Sequence, residues 1–383
     1  MQGLPFEYAV RNLGRSPARF AMSAGGSMLV VLLVIASAAF VAGMQGSLRV
    51  SGSTRNAILL GAGSEESVER SEIAMRTSTI AAASIPGIER IAGAEAVSPE
   101  IHSAIPVQTS DGVISNTLVR GVTPSAFLVH REVRLVEGRL PDTGADEIAI
   151  GRIAAQGLGI QSIGEQVTLD ERPFTVTGIL LAEGGVVEGE IWMPLSDLMV
   201  VTQRDTLSCV VVRLEDDSMS LVQAFASTRI DLELSAIRED EYFAGLAAFF
   251  GPVRLMVIAT AVLVAAGGVV GGLNTTYAAF ASRVREIGTL RTLGYSRFAI
   301  LRNLVEESVL MASIGGLLAA VTAWALLDGL TIQFSMGAFG LSVGPSELAL
   351  GLAAGLLLGI VGAVIPAIRC LRMPVPEALR AAA

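Results

Sequence analysis

The chain has 383 residues, of which 52% are hydrophobic and only 16% are charged, whereas about 25% of the residues in an average soluble domain are charged. This composition predicts a membrane protein. All 27 basic residues are arginine. Because a Walker A loop needs a lysine to reach the nucleotide phosphates, the composition excludes a conventional ATP-hydrolysing domain within these residues.

The first 20 residues predict a cytoplasmic helix that lies at the membrane surface, with Phe6 and Val10 on an apolar face and Arg11 on a charged one. A cleavable signal peptide is the competing interpretation. However, the uncharged run at 20–48 is 29 residues long, far longer than the apolar core of a signal peptide. The run therefore predicts a retained first span over residues 21–44.

Three further apolar stretches predict membrane-spanning helices. Each lacks charged residues over 20 residues or more, which is the length that crosses the hydrocarbon core. Together with the first span, they predict an α-helical membrane protein with four transmembrane helices and both termini on the same side. The second, third and fourth spans are predicted at 255–277, 304–330 and 347–370. A short outer turn at 331–346 joins the last two spans, and the tail is predicted at 371–383.

Glycines four residues apart predict close helix packing in two of these spans. The second span contains Gly267 and Gly271, and the fourth contains Gly351, Gly355 and Gly359. Small residues at this spacing allow helix backbones to approach each other in lipid. For a single pair, the ordinary abundance of glycine in membrane helices is an equal alternative.

The distribution of arginine predicts the orientation of the spans. The segments 1–19, 283–302 and 369–383 contain eleven arginines, whereas the turn at 328–347 contains none. Because basic residues accumulate in cytoplasmic loops, both termini are predicted to be cytoplasmic. The large segment 45–254, with 29 acidic and 16 basic residues, is then extracytoplasmic.

This segment predicts an inserted α+β domain, because short β-branched runs alternate with helical patterns. The strands are predicted at 117–122, 166–169, 174–179, 208–214 and 231–235, and the helices at 148–158 and 219–230.

No catalytic, cofactor or metal site is predicted in the chain. The only histidines, His102 and His130, do not have the spacing of metal ligands and are interpreted as ordinary surface residues. Cys209 and Cys370 fall in different predicted compartments, so no disulfide is expected. The negative charge of the inserted domain argues against a nucleic-acid partner.

The stretch between the second and third spans, 278–303, predicts a short amphipathic helix that binds a partner. Ile287, Leu290 and Leu293 recur at three-residue spacing on one face of it. Gly294 is suited to end this helix in a left-handed conformation, and Ser296 to cap the next one. The candidate binding residues are Arg283, Arg285, Glu286, Ile287, Gly288, Leu290, Arg291, Leu293 and Gly294.

The run Arg283-x-Arg-Glu-Ile-Gly-x-Leu-Arg-x-Leu-Gly294 resembles the FtsX/MacB-type permease subunits of ABC transporters. The run from Glu137 to Ile179 is similar to the periplasmic core domain of MacB-type permeases, and the stretches 7–13 and 374–380 are similar to the ends of that family. The resemblance implies that the 278–303 stretch is a coupling helix, which rests in a groove of a separate ATPase subunit.

The resemblance implies the permease subunit of an ATP-driven transporter in the bacterial inner membrane. Such a chain binds no cofactor itself and uses ATP through its ATPase subunit, so it is not itself an enzyme. The further partners implied are a second permease subunit, a membrane-fusion or other extracytoplasmic protein, and membrane lipid. Export, lipoprotein extraction and the regulation of cell-wall enzymes remain open, as does the substrate. A non-transporting signalling or scaffold protein is the alternative, and a neighbouring ATPase gene would favour the transporter.

Overall fold

Long apolar helices and a mixed β-sheet occupy different parts of this chain. The computed structural model describes residues 6–14, 17–109, 112, 114–216, 218–334 and 337–380. A helical unit contains Met1–Val41, Pro252–Asp328 and Ser342–Ala383, and an inserted domain contains Ala42–Gly251 and Gly329–Leu341. Residues 1–5, 15 and 16 of the predicted surface helix lie outside the described residues.

The helices and strands are numbered in chain order. The helices are α1 Phe6–Gly14, α2 Pro17–Ser51, α3 Thr77–Ser84, α4 Ala126–Val129, α5 Arg152–Leu158, α6 Leu195–Thr202, α7 Met219–Thr228, α8 Glu239–Phe249, α9 Gly251–Ala281, α10 Val284–Thr292, α11 Arg297–Leu327, α12 Pro345–Leu371 and α13 Val375–Arg380. The strands are β1 Asn56–Gly61, β2 Ile73–Ala74, β3 Arg90–Ile91, β4 Ala94–Glu95, β5 Val97–Thr109, β6 Ile114–Val122, β7 Arg134–Gly138, β8 Glu147–Gly151, β9 Gln166–Leu169, β10 Arg172–Leu181, β11 Ile191–Pro194, β12 Thr206–Leu207, β13 Cys209–Arg213, β14 Leu234–Arg238, β15 Thr331–Phe334 and β16 Gly337–Gly340.

Four helices, α2, α9, α11 and α12, are long and apolar enough to cross a membrane. The predicted fold class, four membrane helices with an inserted α+β domain, is confirmed. The predicted short outer turn at 331–346 needs a correction. It contains the antiparallel hairpin of β15 and β16, which belongs to the inserted domain.

Small residues allow the helices of the helical unit to pack closely. Gly355 and Gly359 of α12 are buried. A methyl group added to Gly359 would lie 2.8 Å from Cβ of Ala312 on α11, and one added to Gly355 would lie 2.9 Å from a methyl of Val31 on α2. Atoms at these distances overlap, so only glycine fits without a shift of the neighbouring helix.

The inserted domain is built on a ten-stranded mixed sheet. Its strand order is β14-β1-β13-β5-β6-β11-β8-β10-β7, and β9 pairs with both β10 and β5. The core contains fully buried side chains such as Ile101, Ile148 and Phe174. The β-branched runs at 117–122, 166–169, 174–179 and 208–214 overlap β6, β9, β10 and β13 of this sheet.

Two secondary-structure predictions in the inserted domain are wrong. The segment 148–158 was expected to be helical throughout, but its first residues belong to β8, and the helix α5 begins only at Arg152. Ile148, Ala149 and Ile150 are buried side by side, so this central strand lacks the alternation that identifies half-exposed strands. The segment 231–235 begins within a 3₁₀ turn, Ile230–Leu232, and the strand β14 begins only at Leu234.

Candidate functional site

The helix α10, Val284–Thr292, is shorter than the predicted stretch 278–303, and Gly294 and Ser296 mark the turn that follows it. Gly294 has a φ of 92°, a left-handed conformation that glycine adopts without the steric cost paid by other residues. Its amide donates to Arg291 O at 3.2 Å, and the amide of Tyr295 donates to Leu290 O at 3.2 Å. Ser296 Oγ then accepts from the amide of Ala299 at 3.1 Å and caps α11.

The apolar face of α10 packs against other helices of the same unit. Val284 and Ile287 are buried in a cluster that also contains Ala378 of α13, and Leu290 packs against this cluster. A methyl group added to Gly288 would lie 3.2 Å from Cβ of Ala378. Ile287 is buried in this cluster and Leu290 is partly buried against it, so contact of these two side chains with a partner stays a prediction.

Ion pairs hold the start of α10 within the helical unit. Arg283 Nη1 donates to Glu307 Oε2 on α11 at 2.8 Å, and Arg283 Nε donates to Glu286 Oε2 at 3.0 Å. The hydroxyl of Tyr8 on α1 donates to the carboxylate of Glu286. Burial alone would lower the pKa of Arg283, but Glu286 and Glu307 outweigh it and raise the pKa above its usual value. Arg283 and Glu286 therefore position α10.

The surface that α10 leaves exposed contains part of the predicted binding set, including Arg285 and Leu293. Arg285, Thr289 and Leu293 follow each other at four-residue spacing on one exposed side. Leu293 is 71% exposed, and Phe298, beyond the turn, is 74% exposed. Arg291 points inward, with Nη1 donating to Met373 O at 2.6 Å. We call Arg285, Thr289, Leu293, Arg297 and Phe298 the α10 patch.

The glycines predicted to pack helices occupy two kinds of environment. Gly351, Gly355 and Gly359 are buried inside the helical unit. Gly267 and Gly271 of α9 have open space within 4 Å of the position where a methyl group would be added. Within the described part of the chain, other helices therefore pack against the α12 glycines. Close packing of a helix against Gly267 and Gly271 of α9 stays a prediction.

A row of buried polar side chains crosses one face of the sheet in the inserted domain. Cys209 on β13 lies opposite Glu100 on β5, and His102 on β5 lies opposite Arg120 on β6. Trp192 on β11 lies opposite Arg120. Because side chains two residues apart share a face of a strand, the sheet brings together groups from four strands.

Hydrogen bonds satisfy the charges in this row. Arg120 donates from Nη1 to Glu100 Oε2 at 2.9 Å, and from Nε and Nη2 to Glu190 Oε2 and Oε1 at 2.8 and 2.7 Å. Trp192 Nε1 also donates to Glu190 Oε2, at 2.9 Å. Buried charges are costly unless paired in this way.

His130, which follows the short helix α4, completes the pairing of Glu100. Its Nε2 donates to Glu100 Oε1 at 2.7 Å. Burial opposes the ionisation of Glu100, but His130 and Arg120 outweigh it and hold the pKa of this carboxyl well below its usual range. Burial alone would lower the pKa of His130, but the negative charge of Glu100 raises it to about 10. Glu100 and His130 therefore form a charged pair at neutral pH.

The expectation that the histidines are ordinary surface residues is wrong. His130 is only 2% exposed and His102 only 9%. Burial, and then the charge of Arg120, lower the pKa of His102, so its imidazole is neutral. The partners of these histidines come from strands distant in the sequence, and the one local signal was Glu100-x-His102, two polar residues on the same face of a strand.

An apolar pocket lies beside this row within the inserted domain. Its volume is about 300 Å³, which is at the lower end of the range for small-molecule sites. Phe127 and Trp192, whose ring centroids are 5.5 Å apart, form part of its wall together with Met75, Met193 and Met199. Methionine side chains adapt to differently shaped apolar groups, so this pocket is suited to an apolar ligand.

Two families of proteins match this chain. Residues 20–226 match the MacB-like periplasmic core domain, and residues 258–375 match the FtsX-like permease C-terminal region. The first match covers more than half of the chain.

Curated relatives are similar over much of the chain. The macrolide export ATP-binding/permease protein MacB of Shewanella sp. (strain ANA-3) is 24% identical over an alignment of 382 residues, and the match covers 92% of this chain and 57% of that protein. MacB of Nitrobacter winogradskyi is 29% identical over an alignment of 266 residues, and the match covers 62% of this chain and 40% of that protein. The chain therefore spans about half the length of the curated relatives it matches.

Among solved structures, the periplasmic region of MacB from Actinobacillus actinomycetemcomitans is 15% identical, with a TM-score of 0.40. The similarity covers 52% of this chain and 94% of that one.

Proposed function

The chain belongs to the family that joins a MacB-like periplasmic core domain to an FtsX-like permease region, and from this premise we propose that it is the membrane subunit of an ATP-driven ABC transporter. The family and the four apolar helices imply a bacterial inner-membrane protein. Since the 383 residues contain no lysine, ATP hydrolysis comes from outside them, and we assign it to a separate ATPase subunit.

The α10 patch is the observation that carries this proposal. Leu293 and Phe298 are large apolar side chains that remain exposed on either side of the Gly294 turn, and Arg285 and Arg297 are also exposed. Buried apolar anchors supply most of the affinity of a protein interface, whereas charges at its rim tune encounter and orientation. The patch offers both, and an acidic-rimmed apolar groove on the ATPase would fit it.

Ordered contacts give α10 a way to transmit motion. It is joined directly to α9 and α11 along the chain, and Arg283 ties it to Glu307 inside α11. When ATP binding moves the ATPase, α10 moves as a packed body with these helices. The chain of α9 is continuous with α8 of the inserted domain, so the movement is delivered to that domain.

The exposed glycines of α9 support a second permease subunit as a partner. No described atom lies within 4 Å of the position where a methyl group would be added to Gly267 or Gly271, and only 6% of the apolar window of α9 is buried. Small residues four apart favour close helix contacts in lipid. We assign this side of α9 to contact with a second copy or a related permease.

The work performed is export of a small apolar or amphiphilic molecule. The relatives are named macrolide export proteins, and the pocket of about 300 Å³ in the inserted domain supports binding of an apolar ligand. The alternative, a non-transporting signalling or scaffold role, predicts ATPase stimulation without movement of any such molecule across the membrane.

Binding of the ATPase subunit tests this proposal. We expect the double variant Leu293→Asp with Phe298→Asp to abolish co-purification with the cognate ATPase and stimulation of its ATP turnover in lipid, because it would bury unpaired carboxylates in the interface. Leu221→Asp is the matched control, since Leu221 is an exposed leucine on α7. Retention of both properties by the double variant, with the control also normal, would exclude the α10 patch as the ATPase site.

A further inference from the structure

The buried row of the inserted domain contains three side chains that can ligate a metal ion. We propose that Glu100, His102 and Cys209 bind one zinc-like divalent cation. Within the described residues, their ligand atoms all lie within 4.8 Å of one another. A thiolate, an imidazole and a carboxylate are the donors that zinc uses in proteins. This inference does not depend on the transport function.

Two of the three distances between these atoms are close to those around a tetrahedral ion, and the third, between the Glu100 carboxylate and Cys209 Sγ, is within 4.8 Å. His102 Nε2 lies 3.0 Å from Glu100 Oε2 and 3.9 Å from Cys209 Sγ. Zinc–ligand bond lengths and tetrahedral angles correspond to separations of about 3.4 Å for the oxygen–nitrogen pair and about 3.6 Å for the nitrogen–sulfur pair. The oxygen–nitrogen and nitrogen–sulfur separations therefore each have to change by less than about half an ångström.

The strands that carry the three ligands are locked to each other. The amide of Ser208 donates to Glu100 O at 2.9 Å, and the amide of His102 donates to Ser208 Oγ at 3.0 Å. Cys209 and Glu100 are direct cross-strand neighbours. Ligands on paired strands keep their positions better than ligands on loops, so the site is largely formed before the ion binds.

The two charged neighbours of Glu100 determine which of its hydrogen bonds must break when the cation binds. Its Oε1 is held by His130, and this bond persists as the outer hydrogen bond that a ligating carboxylate usually has. Its Oε2 accepts from Arg120 Nη1, so the cation displaces that contact. Arg120 keeps its two bonds to Glu190 and remains paired. The cation binds Cys209 as a thiolate, so binding releases the proton of the thiol.

A small cavity lies beside His102, the one of the three ligand residues that lines it, and provides space for a water molecule. It has a volume of about 40 Å³ and is lined in part by His102, Arg120, Glu190 and Tyr242. This is enough for one water molecule with polar neighbours. Three protein ligands and one water form the usual open zinc coordination.

Cobalt binding by the full chain in detergent tests the site. In a Cys370→Ser background, Cys209 is the only thiol, so a thiolate-to-cobalt absorption band reports this residue alone. We expect one Co²⁺ per chain with such a band, and its loss when Zn²⁺ is added. Cys209→Ser should remove the band, and His102→Gln should weaken Zn²⁺ binding by about tenfold or more, at least as much as losing an outer partner of a ligand.

The chain without changes in the site gives an independent readout. Zn²⁺ should raise the unfolding temperature of the Cys370→Ser protein, because a ligand that binds only the folded state stabilises it. If this folded protein shows neither the cobalt band nor a zinc-dependent shift, the cluster is an ion-pair network only and the proposal is overturned. Unchanged zinc affinity in a folded Cys209→Ser protein would overturn it as well.

Discussion

Arg283 and Glu307 form an ion pair, with Nη1 of Arg283 2.8 Å from Oε2 of Glu307, that joins the start of α10 to the interior of α11. The side chain of Glu307 is only 2% exposed and that of Arg283 is 14% exposed. When one partner of an ion pair shielded from water in this way is removed, the protein loses more stability than when one partner of a surface pair is removed. The position of α10 therefore depends on this contact.

Glu307→Gln tests that dependence. We expect a loss of about 1–3 kcal/mol in the free energy of unfolding, because Arg283 keeps only part of its charged hydrogen bonding. Thermal unfolding of the purified chain in detergent measures the loss. Stimulation of the partner ATPase should fall as well, since α10 is no longer fixed to α11.

The neighbouring residue provides the control for this variant. Glu306 pairs with Arg302, which is 71% exposed, so Glu306→Gln should change the free energy of unfolding by less than about 0.5 kcal/mol. Equal effects of the two variants would contradict the special role of the Arg283–Glu307 pair.

The long helices were predictable from the sequence because length and apolarity alone decide them. The runs that became α2, α9, α11 and α12 contain too few charged residues to form anything else over their length. The strand β8 was not predictable in this way. A fully buried central strand such as Ile148–Ala149–Ile150 has no alternation, so only its pairing with β10 and β11 separates it from the helix that follows.

The candidate sites were only partly predictable for a related reason. The ends of α10 depend on local chemistry at Gly294 and Ser296, which is visible in the sequence. Which face of α10 stays exposed depends on α13, about 90 residues later in the chain. Likewise, the burial of His130 depends on Glu100 and Glu239, brought near it by the fold. Spacing rules within one segment do not contain these partners.

Gly359→Leu tests the packing of α12 against α11. A side chain at this position would overlap with Ala312 and the backbone of Val309, so we expect destabilisation of about 1–3 kcal/mol or more, measured by thermal unfolding. Gly267→Leu should leave the unfolding temperature of the single chain unchanged, because the position is open. It should instead weaken self-association in lipid nanodiscs if α9 contacts a second permease. If Gly267→Leu lowered the unfolding temperature of the single chain and Gly359→Leu weakened only self-association, the assignment of Gly359 to packing within the chain and of Gly267 to contact with a second permease would be wrong.

Gly294→Val tests the left-handed turn that separates α10 from α11. At a φ of 92°, a β-branched residue should cost about 1–2 kcal/mol or more, and the distortion should reduce ATPase binding by displacing Leu293. Gly294→Asn should recover much of both losses, because asparagine tolerates the left-handed region better. If valine and asparagine behave alike, the conformation of this turn does not govern the patch.

The orientation proposed from arginine can be tested with single cysteines. Both natural cysteines, Cys209 and Cys370, are buried, so an exposed cysteine introduced in a background without them reports its own compartment. Ser227 of α7 and Thr292 of α10 are both exposed and suit this purpose. Because basic residues are retained on the cytoplasmic side, an impermeant thiol reagent should label Ser227→Cys but not Thr292→Cys in intact cells. After the membrane is permeabilised, both should react, which shows that each thiol is accessible. Labelling of Thr292→Cys alone in intact cells would invert the topology, placing the α10 patch outside and away from any cytoplasmic ATPase.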